Sequence, residues 1–325
     1  MRKHILTIIC LTLVLIGCSK SGSGPSYLDP EPSVGSDGSS PPSVDERLAW
    51  EAGLKDIVYH VGPVDLPKGL EPEVMLERPL TMRFQVDEPL WVVGFKPKVV
   101  DKNGTELPSE LLHLAIVSNM HEDNPLCSDA GSGNPFVAAT SMLTSINLPR
   151  GYGYPILQSD PLEAMVVLKN DSDESYIDVF FELTLIARPM GEFTKLRDVK
   201  PMLVELDPCD HETVSVAPGK FVEHSATYQM PSDANLIVAH GVIEDFGSSV
   251  ELVARGAPSP FWRAEAELDE NHRIKELIGD PFSESEGVGF KEGDELTLSV
   301  AYDNFSESWL TGATAAAMVY LSSKD

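Results

Sequence analysis

The chain has 325 residues, a formal net charge of −27 at pH 7 and 42% hydrophobic residues. That length accommodates a leader and two domains of ordinary size. Acidity this strong repels phosphate backbones and anionic lipid headgroups, which sets nucleic acid aside as a partner and points to a solvated surface.

Met1-Arg2-Lys3-His4 is a short basic opening, and Ile5 to Ile16 is apolar apart from Thr7 and Thr12. The run falls short of the ~20 residues that span a bilayer core, so 1–17 reads as a signal peptide. It closes Leu15-Ile16-Gly17-Cys18, which resembles the bacterial lipobox. The resemblance implies that the sulfur of Cys18 carries a diacylglyceryl group and that cleavage before it frees an amine for a further chain. Two or more chains anchor durably. Residues 18–45 are then the lipidated cysteine and a Ser/Gly/Pro/Asp tether with too little apolar content to fold. Ser19 stands where an Asp often marks inner-membrane retention in Gram-negative lipoproteins, so the expected location is the cell envelope, with the outer membrane favoured.

With Cys10 removed and Cys18 lipidated, Cys127 and Cys209 remain. Export places them in an oxidising compartment, where they form either a disulfide or two separate thiols.

From residue 50 onward strand signals dominate. Short runs rich in β-branched and aromatic residues occupy Thr81–Val86, Leu90–Phe95, Leu112–Val117, Glu163–Leu168 and Ile177–Ile186. They continue through Ala226–Met230, Leu236–His240, Ser249–Ala254, Arg263–Leu268, Glu295–Tyr302 and Ala316–Leu321. Asp101-Lys102-Asn103-Gly104 fits a hairpin turn. Helical periodicity is modest and confined to 44–54 and 270–278. The spacing predicts an all-β body of sandwiches or jelly rolls. Pro189, Gly191 and a cluster of charges interrupt the strands, giving domains at 46–192 and 193–325.

Leu148-Pro149-Arg150-Gly151-Tyr152-Gly153-Tyr154-Pro155 is similar to a Pro-x-Gly-Tyr-Gly segment of the copper type II, ascorbate-dependent monooxygenases. Asp160-Pro161-Leu162 and Val167-Leu168-Lys169-Asn170 resemble the next strand of that family. Ile237–Leu252 resembles a stretch built on His-x-His-Asp-x-Gly, and Leu296–Leu321, with Tyr302-Asp303-Asn304, resembles its closing strands. The resemblance implies two tandem jelly-roll β-sandwiches side by side. It also implies two coppers, and here the chain departs from the pattern. The His-His pair reads Leu112-His113, and the third histidine falls near Val167. The His-x-His positions become Val242 and Glu244, by the anchor Asp245-Phe246-Gly247. The methionine falls near Thr314, with Met318 close by. Two coppers need several imidazole or thioether ligands each, so no two-copper oxygen chemistry and no cofactor is expected.

His113 reads either as a remnant metal ligand or as a half-buried strand histidine. His121-Glu122-Asp123 is either a set of added ligands or a polar loop, and His240 with Glu244 is a conceivable remodelled site. Asp171 to Ser175 with Glu182 matches a calcium-loop template except at Tyr176, where the turn needs glycine, and reads as an acidic hairpin. Trp91, Trp262 and Trp309 suit either a core or a pocket. No Gly-x-Ser-x-Gly, His-Glu-x-x-His, phosphate loop or Cys-x-x-Cys is present. The expectation is therefore a membrane-anchored lipoprotein acting as a non-catalytic binding or scaffold protein. The alternatives are a copper- or other metal-dependent protein using His113 with His121 or His240 with Glu244, and a structural partner of envelope proteins.

Overall fold

The computed structural model describes residues 50–127, 133–191, 195–206, 214–243, 246–269, 274–313 and 315–324. The signal peptide, Cys18 and the tether lie outside them. Residues 49–325 form one compact unit.

The first half contains β1 (Lys55–Leu66), β2 (Leu80–Phe84), β3 (Leu90–Val100), β4 (Leu112–Asn119), β5 (Asn134–Ala139), β6 (Ile146–Asn147), β7 (Tyr152–Ile156), β8 (Leu162–Leu168) and β9 (Tyr176–Pro189), with a short helix, α1 (Pro72–Leu76), a 3-10 turn at Ser109–Leu111 and helical residues at 50–52. Its sheets run β1-β9-β3-β7 and β2-β8-β4-β5. The second half contains β10 (Arg197–Glu205), β11 (Val214–Val216), β12 (Lys220–Gln229), β13 (Ala234–Ile243), β14 (Gly247–Ala254), β15 (Trp262–Leu268), β16 (Ile274–Ile278), β17 (Phe282–Phe290), β18 (Glu295–Asn304), β19 (Leu310–Ala313) and β20 (Ala315–Ser323). Its main sheets run β10-β20-β13-β17 and β12-β18-β14-β15-β16. Number the eight principal strands of each half in order. Both halves then repeat one pattern: first, eighth, third, sixth in one sheet, and second, seventh, fourth, fifth in the other. That is the strand order of a jelly roll. The protein is all-β, two tandem jelly rolls.

The two rolls share a sheet. β7 pairs in parallel with β10, Tyr152 opposite Arg197 and Gly153 opposite Asp198. The Pro-x-Gly-Tyr-Gly segment is thus the clasp between rolls. Gly151 adopts φ 93°, and its carbonyl accepts the Arg197 amide. The Tyr152 hydroxyl donates to the carbonyl of Ser285 at 2.7 Å and accepts from Arg197 Nη1. A Cβ on Gly153 would press within 3.1 Å of both Leu196 and the Trp91 ring, so the clasp needs glycine there. Beyond Asp198, one edge of β10 has no ladder. Pro201 turns its carbonyl to Asn134 across that edge, and a residue's missing N–H falls on the same side as its carbonyl.

β13 and β20 separate two cores. Val238, Val242, Ala316, Met318 and Tyr320 pack with the first roll. Ala239, Ile243, Ala315, Ala317, Val319 and Leu321 pack within the second. Alternation along a strand sends successive side chains to opposite faces, so a strand buried on both faces must be apolar throughout, as Ala315–Leu321 is. Tyr320 fixes the seam by donating its hydroxyl to the Phe136 carbonyl at 2.8 Å.

Each roll is also closed by a buried asparagine. Asn170, 0% exposed, donates through Nδ2 to the carbonyls of Leu66, Pro67 and Glu174, while Oδ1 accepts the amide and hydroxyl of Ser172. Asn304, likewise 0% exposed, donates to the carbonyls of Val216 and Ser308, and Oδ1 accepts the amide and hydroxyl of Ser306. Both are Asn-x-Ser turns in the same connection of their rolls, each following the seventh principal strand. Two sequence expectations change. Residues 274–278 form strand β16, because Ile274, Leu277 and Ile278 extend the sheet beside β15. Trp91 and Trp262 are buried, but Trp309 is 63% exposed.

The Asn304→Ala substitution strips hydrogen bonds from two carbonyls and Ser306. It is expected to lower the free energy of unfolding by about 3 kcal/mol, read by urea denaturation; a loss within error of zero would deny the turn this role.

Candidate functional site in the cleft between the rolls

Side chains from both rolls line a cleft of about 410 Å³. The first roll supplies the start of β4, the end of β5 and the Asn170 turn; the second supplies Ile243, Asp269 and the start of β16. His113 lies here. The pairing of β4 with β8 shifts register between Leu112 and Leu114, so His113 occupies a β-bulge. Bulges re-aim a side chain relative to the ladder, and this one leaves the imidazole half-buried on the cleft wall. Leu111, Leu112, Met142, Ile243 and Ile274 make the apolar part of that wall. Lys169 and Asp171 make the charged part, ion-paired at 3.1 Å and mostly shielded from solvent. Lys275 stands at the opposite side, paired with Glu267 at 2.7 Å. The hydrogen bonds that close the Asn170 turn hold Asp171 and Ser172 in place, so the first roll's own staple shapes the cleft.

The other sequence-derived residues scatter. His121 follows the far end of β4, eight residues from His113, roughly 25 Å at strand spacing; the structure does not bring the two together. His121 Nδ1 lies 3.8 Å from the buried carboxylate of Asp160. Val167 is buried opposite Leu114. Val242 faces the first roll's core. Glu244, Asp245, Thr314 and Cys209 lie outside the described residues, while Cys127 is buried with a free thiol. Asp171 pairs with Lys169 and Ser172 caps Asn170 in the acidic hairpin. Among the described residues no three His, Cys, Asp or Glu side chains gather closely enough to hold a metal ion. The cleft itself was not legible in the sequence, because Ile243, Asp269 and Ile274 reach it only through the packing of one roll on the other.

His240 is buried at 2% exposure on the face of β13 turned to the first roll. It lies opposite Met318 on β20, with its ring 6.2 Å from that of Phe95 on β3. Neither ring nitrogen has a hydrogen-bond partner. Burial, only partly countered by the Gly241 backbone, holds its pKa down to about 4. The neutral imidazole serves as a flat, imperfectly satisfied filler of the wall.

The chain matches no described protein family, and no curated protein is similar to it in sequence. Among solved structures, a chain from the atomic structure of Sulfolobus turreted icosahedral virus aligns over 83% of this chain and 90% of its own length, at 9% identity and a TM-score of 0.33. At that distance neither fold nor function follows.

The buried imidazole makes stability depend on pH. An unfolded histidine takes a proton near pH 6.5, and the folded one only near 4. Between these values unfolding takes up a proton, so stability falls as pH falls, by ~3 kcal/mol across the window. His240→Leu is expected to remove that slope and to raise stability at pH 5, measured by urea denaturation at stepped pH. A variant curve parallel to the wild type would show that the imidazole is not buried neutral.

Proposed function

We propose that this chain is a membrane-anchored bacterial lipoprotein of the cell envelope. Its body acts as a non-catalytic binding module on a copper-monooxygenase-like scaffold. The observation that carries the binding role is the cleft, whose wall both rolls build and into which the β4 bulge turns His113. A concave site with apolar walls and a few placed polar groups is the usual form of a small-molecule site. Here the apolar part is Leu111, Leu112, Ile243 and Ile274, and the polar part is His113 with the Lys169–Asp171 pair. Such walls suit a compact molecule with one apolar portion and one charged group. The anchor rests on the sequence Leu15-Ile16-Gly17-Cys18 and the low-complexity tether after it.

A second reading is favoured by one observation. Met142 lines the same cleft as His113, and a thioether beside an imidazole is a soft ligand set that suits copper. In that reading the protein holds a metal at a remodelled site.

One set of preparations separates the two. Labelled palmitate fed to expressing cells should enter the wild-type chain and not Cys18→Ser. The mature Cys18→Ser chain, free of lipid, is then titrated with 8-anilinonaphthalene-1-sulfonate, an apolar ring system bearing one anionic group, and separately with copper. The binding-module reading expects saturable dye binding that Ile274→Asp abolishes, with far less than one copper held per chain. Stoichiometric copper lost on His113→Ala would overturn it in favour of the metal site.

A further inference from the structure

Strand β12 ends the sheet β12-β18-β14-β15-β16, and among the described residues no strand pairs with its outer side. An open edge is a template for another strand, and proteins blunt it with short length, proline, bulges or charge. The other sheet edges among the described residues are blunted. β1 carries Pro63 and two shifts of register. β2 and β16 have five residues each, and β5 has six with Pro135 among them. β17 holds Glu284 and Glu286 where its pairing with β13 breaks. β12 has none of these devices over most of its length. Its ten residues form one unshifted ladder with β18, without proline or glycine. Its formal charges, Lys220 and Glu223, lie toward one end. We infer that β12 is a dimerisation edge, which takes the β12 strand of a second copy of this chain, antiparallel, across a twofold axis at Ser225.

The ladder itself says which groups face out. One step past its end and in register, the Met230 amide donates to the Asp294 carbonyl. Hydrogen-bonded pairs recur at every second residue, so the even-numbered residues of β12 bond to β18. The Arg255 amide donates to the Glu295 carbonyl, which gives β14 the odd-numbered residues of β18 and agrees with that assignment. The amides and carbonyls of Phe221, Glu223, Ser225, Thr227 and Gln229 therefore point to the open side. An axis at Ser225 sets Phe221 opposite Gln229, Glu223 opposite Thr227 and Ser225 opposite itself. That register alone engages all of these residues on both strands, with about ten hydrogen bonds. No like charges meet in it, whereas an axis at Glu223 would set two carboxylates face to face, which is unfavourable. On the other face of the sheet Val222 falls opposite Tyr228, both packed on the second core, so the apolar layer continues across the joint. Phe221, 56% exposed in the single chain, gains cover from Gln229 of the second copy. This self-complementarity is the form of an isologous interface and favours a second copy over an unrelated strand. The edge is separate from the cleft and does not depend on what fills it.

The test is sedimentation equilibrium of the mature Cys18→Ser chain, which has no lipid to associate through. Salt is held at about 0.15 M, where repulsion between two chains of −27 is screened beyond about 8 Å. A reversible monomer–dimer equilibrium is expected. Ser225→Pro removes an N–H from the open side, where an edge strand tolerates proline. It should weaken the dimer about tenfold or more and leave the urea midpoint of the dilute chain unchanged. Ala226→Pro, which removes a bond to β18, should lower that midpoint. Thr227→Lys, opposite Glu223 of the second copy, should tighten the dimer and Thr227→Glu should loosen it, each about threefold or more. A chain monomeric at every concentration would leave the edge to a foreign strand and overturn the proposal. So would a dimer indifferent to Ser225→Pro, a Ser225→Pro chain as destabilised as Ala226→Pro, or equal effects of the two Thr227 substitutions.

Discussion

The structure depends on a sheet that has no outside. In an ordinary jelly roll each strand turns one face to the core and one to water. Here β13 and β20 close the second roll with one set of side chains and seal against the first roll with the other. Every position on that wall must therefore be small or apolar, and each exception carries a consequence. Gly241 obeys the rule at its limit, because a Cβ there would meet Val250 at 2.8 Å and the Trp262 ring at 2.9 Å. His240 is the polar exception within Leu236–Ile243, a ring accepted in its neutral form because water is excluded. Two domains of this size could in principle fold alone. The shared wall instead makes the first roll's packing conditional on the second.

That wall also explains where the cavities lie. Two open along lines where the rolls meet, so each is assembled from residues far apart in the chain. The cleft takes His113 from a bulge in the first roll and Ile243 from the end of the wall strand itself. The second cavity takes Asn134 from β5 and Leu321 from the far end of the same wall. A ligand in either place would add contacts between the rolls and so stabilise the joined form by mass action.

Much of the fold was legible because burial leaves a pattern. The alternation of Thr81–Val86 and the unbroken apolar run Ala316–Leu321 marked strands with a wet face and with none. β1 escaped although Ile57, Val58, Tyr59 and Val61 carry a strand signal; in other strands that escaped the signal is diluted. β10 holds Pro201, harmless only on its unladdered edge. β17 is a polar edge strand, Phe282-Ser283-Glu284-Ser285-Glu286, and β5 begins Asn134-Pro135. Residues 274–278 looked helical because Ile274 and Ile278 are four apart, yet pairing with β15 decided otherwise. Of the site, His113 stood out by residue type, but nothing local announced the bulge that aims it. The Pro-x-Gly-Tyr-Gly segment was visible as a motif, while its work as a clasp depends on Ser285, 133 residues from Tyr152. The Asn-x-Ser turns at 170 and 304 are plain as a pair only once the two rolls are superposed in topology.

A wall shared by both cores makes the two rolls one cooperative unit. Trp91 reports on the first roll and Trp262 on the second, so urea unfolding of Trp262→Phe and Trp91→Phe variants, each with Trp50 and Trp309 also replaced by Phe, isolates each signal. Coincident midpoints and slopes, matching the loss of far-ultraviolet circular dichroism, are the expected result. A first-roll signal that persists after the second has unfolded would contradict it, and would reduce the shared sheet to a contact between independent domains.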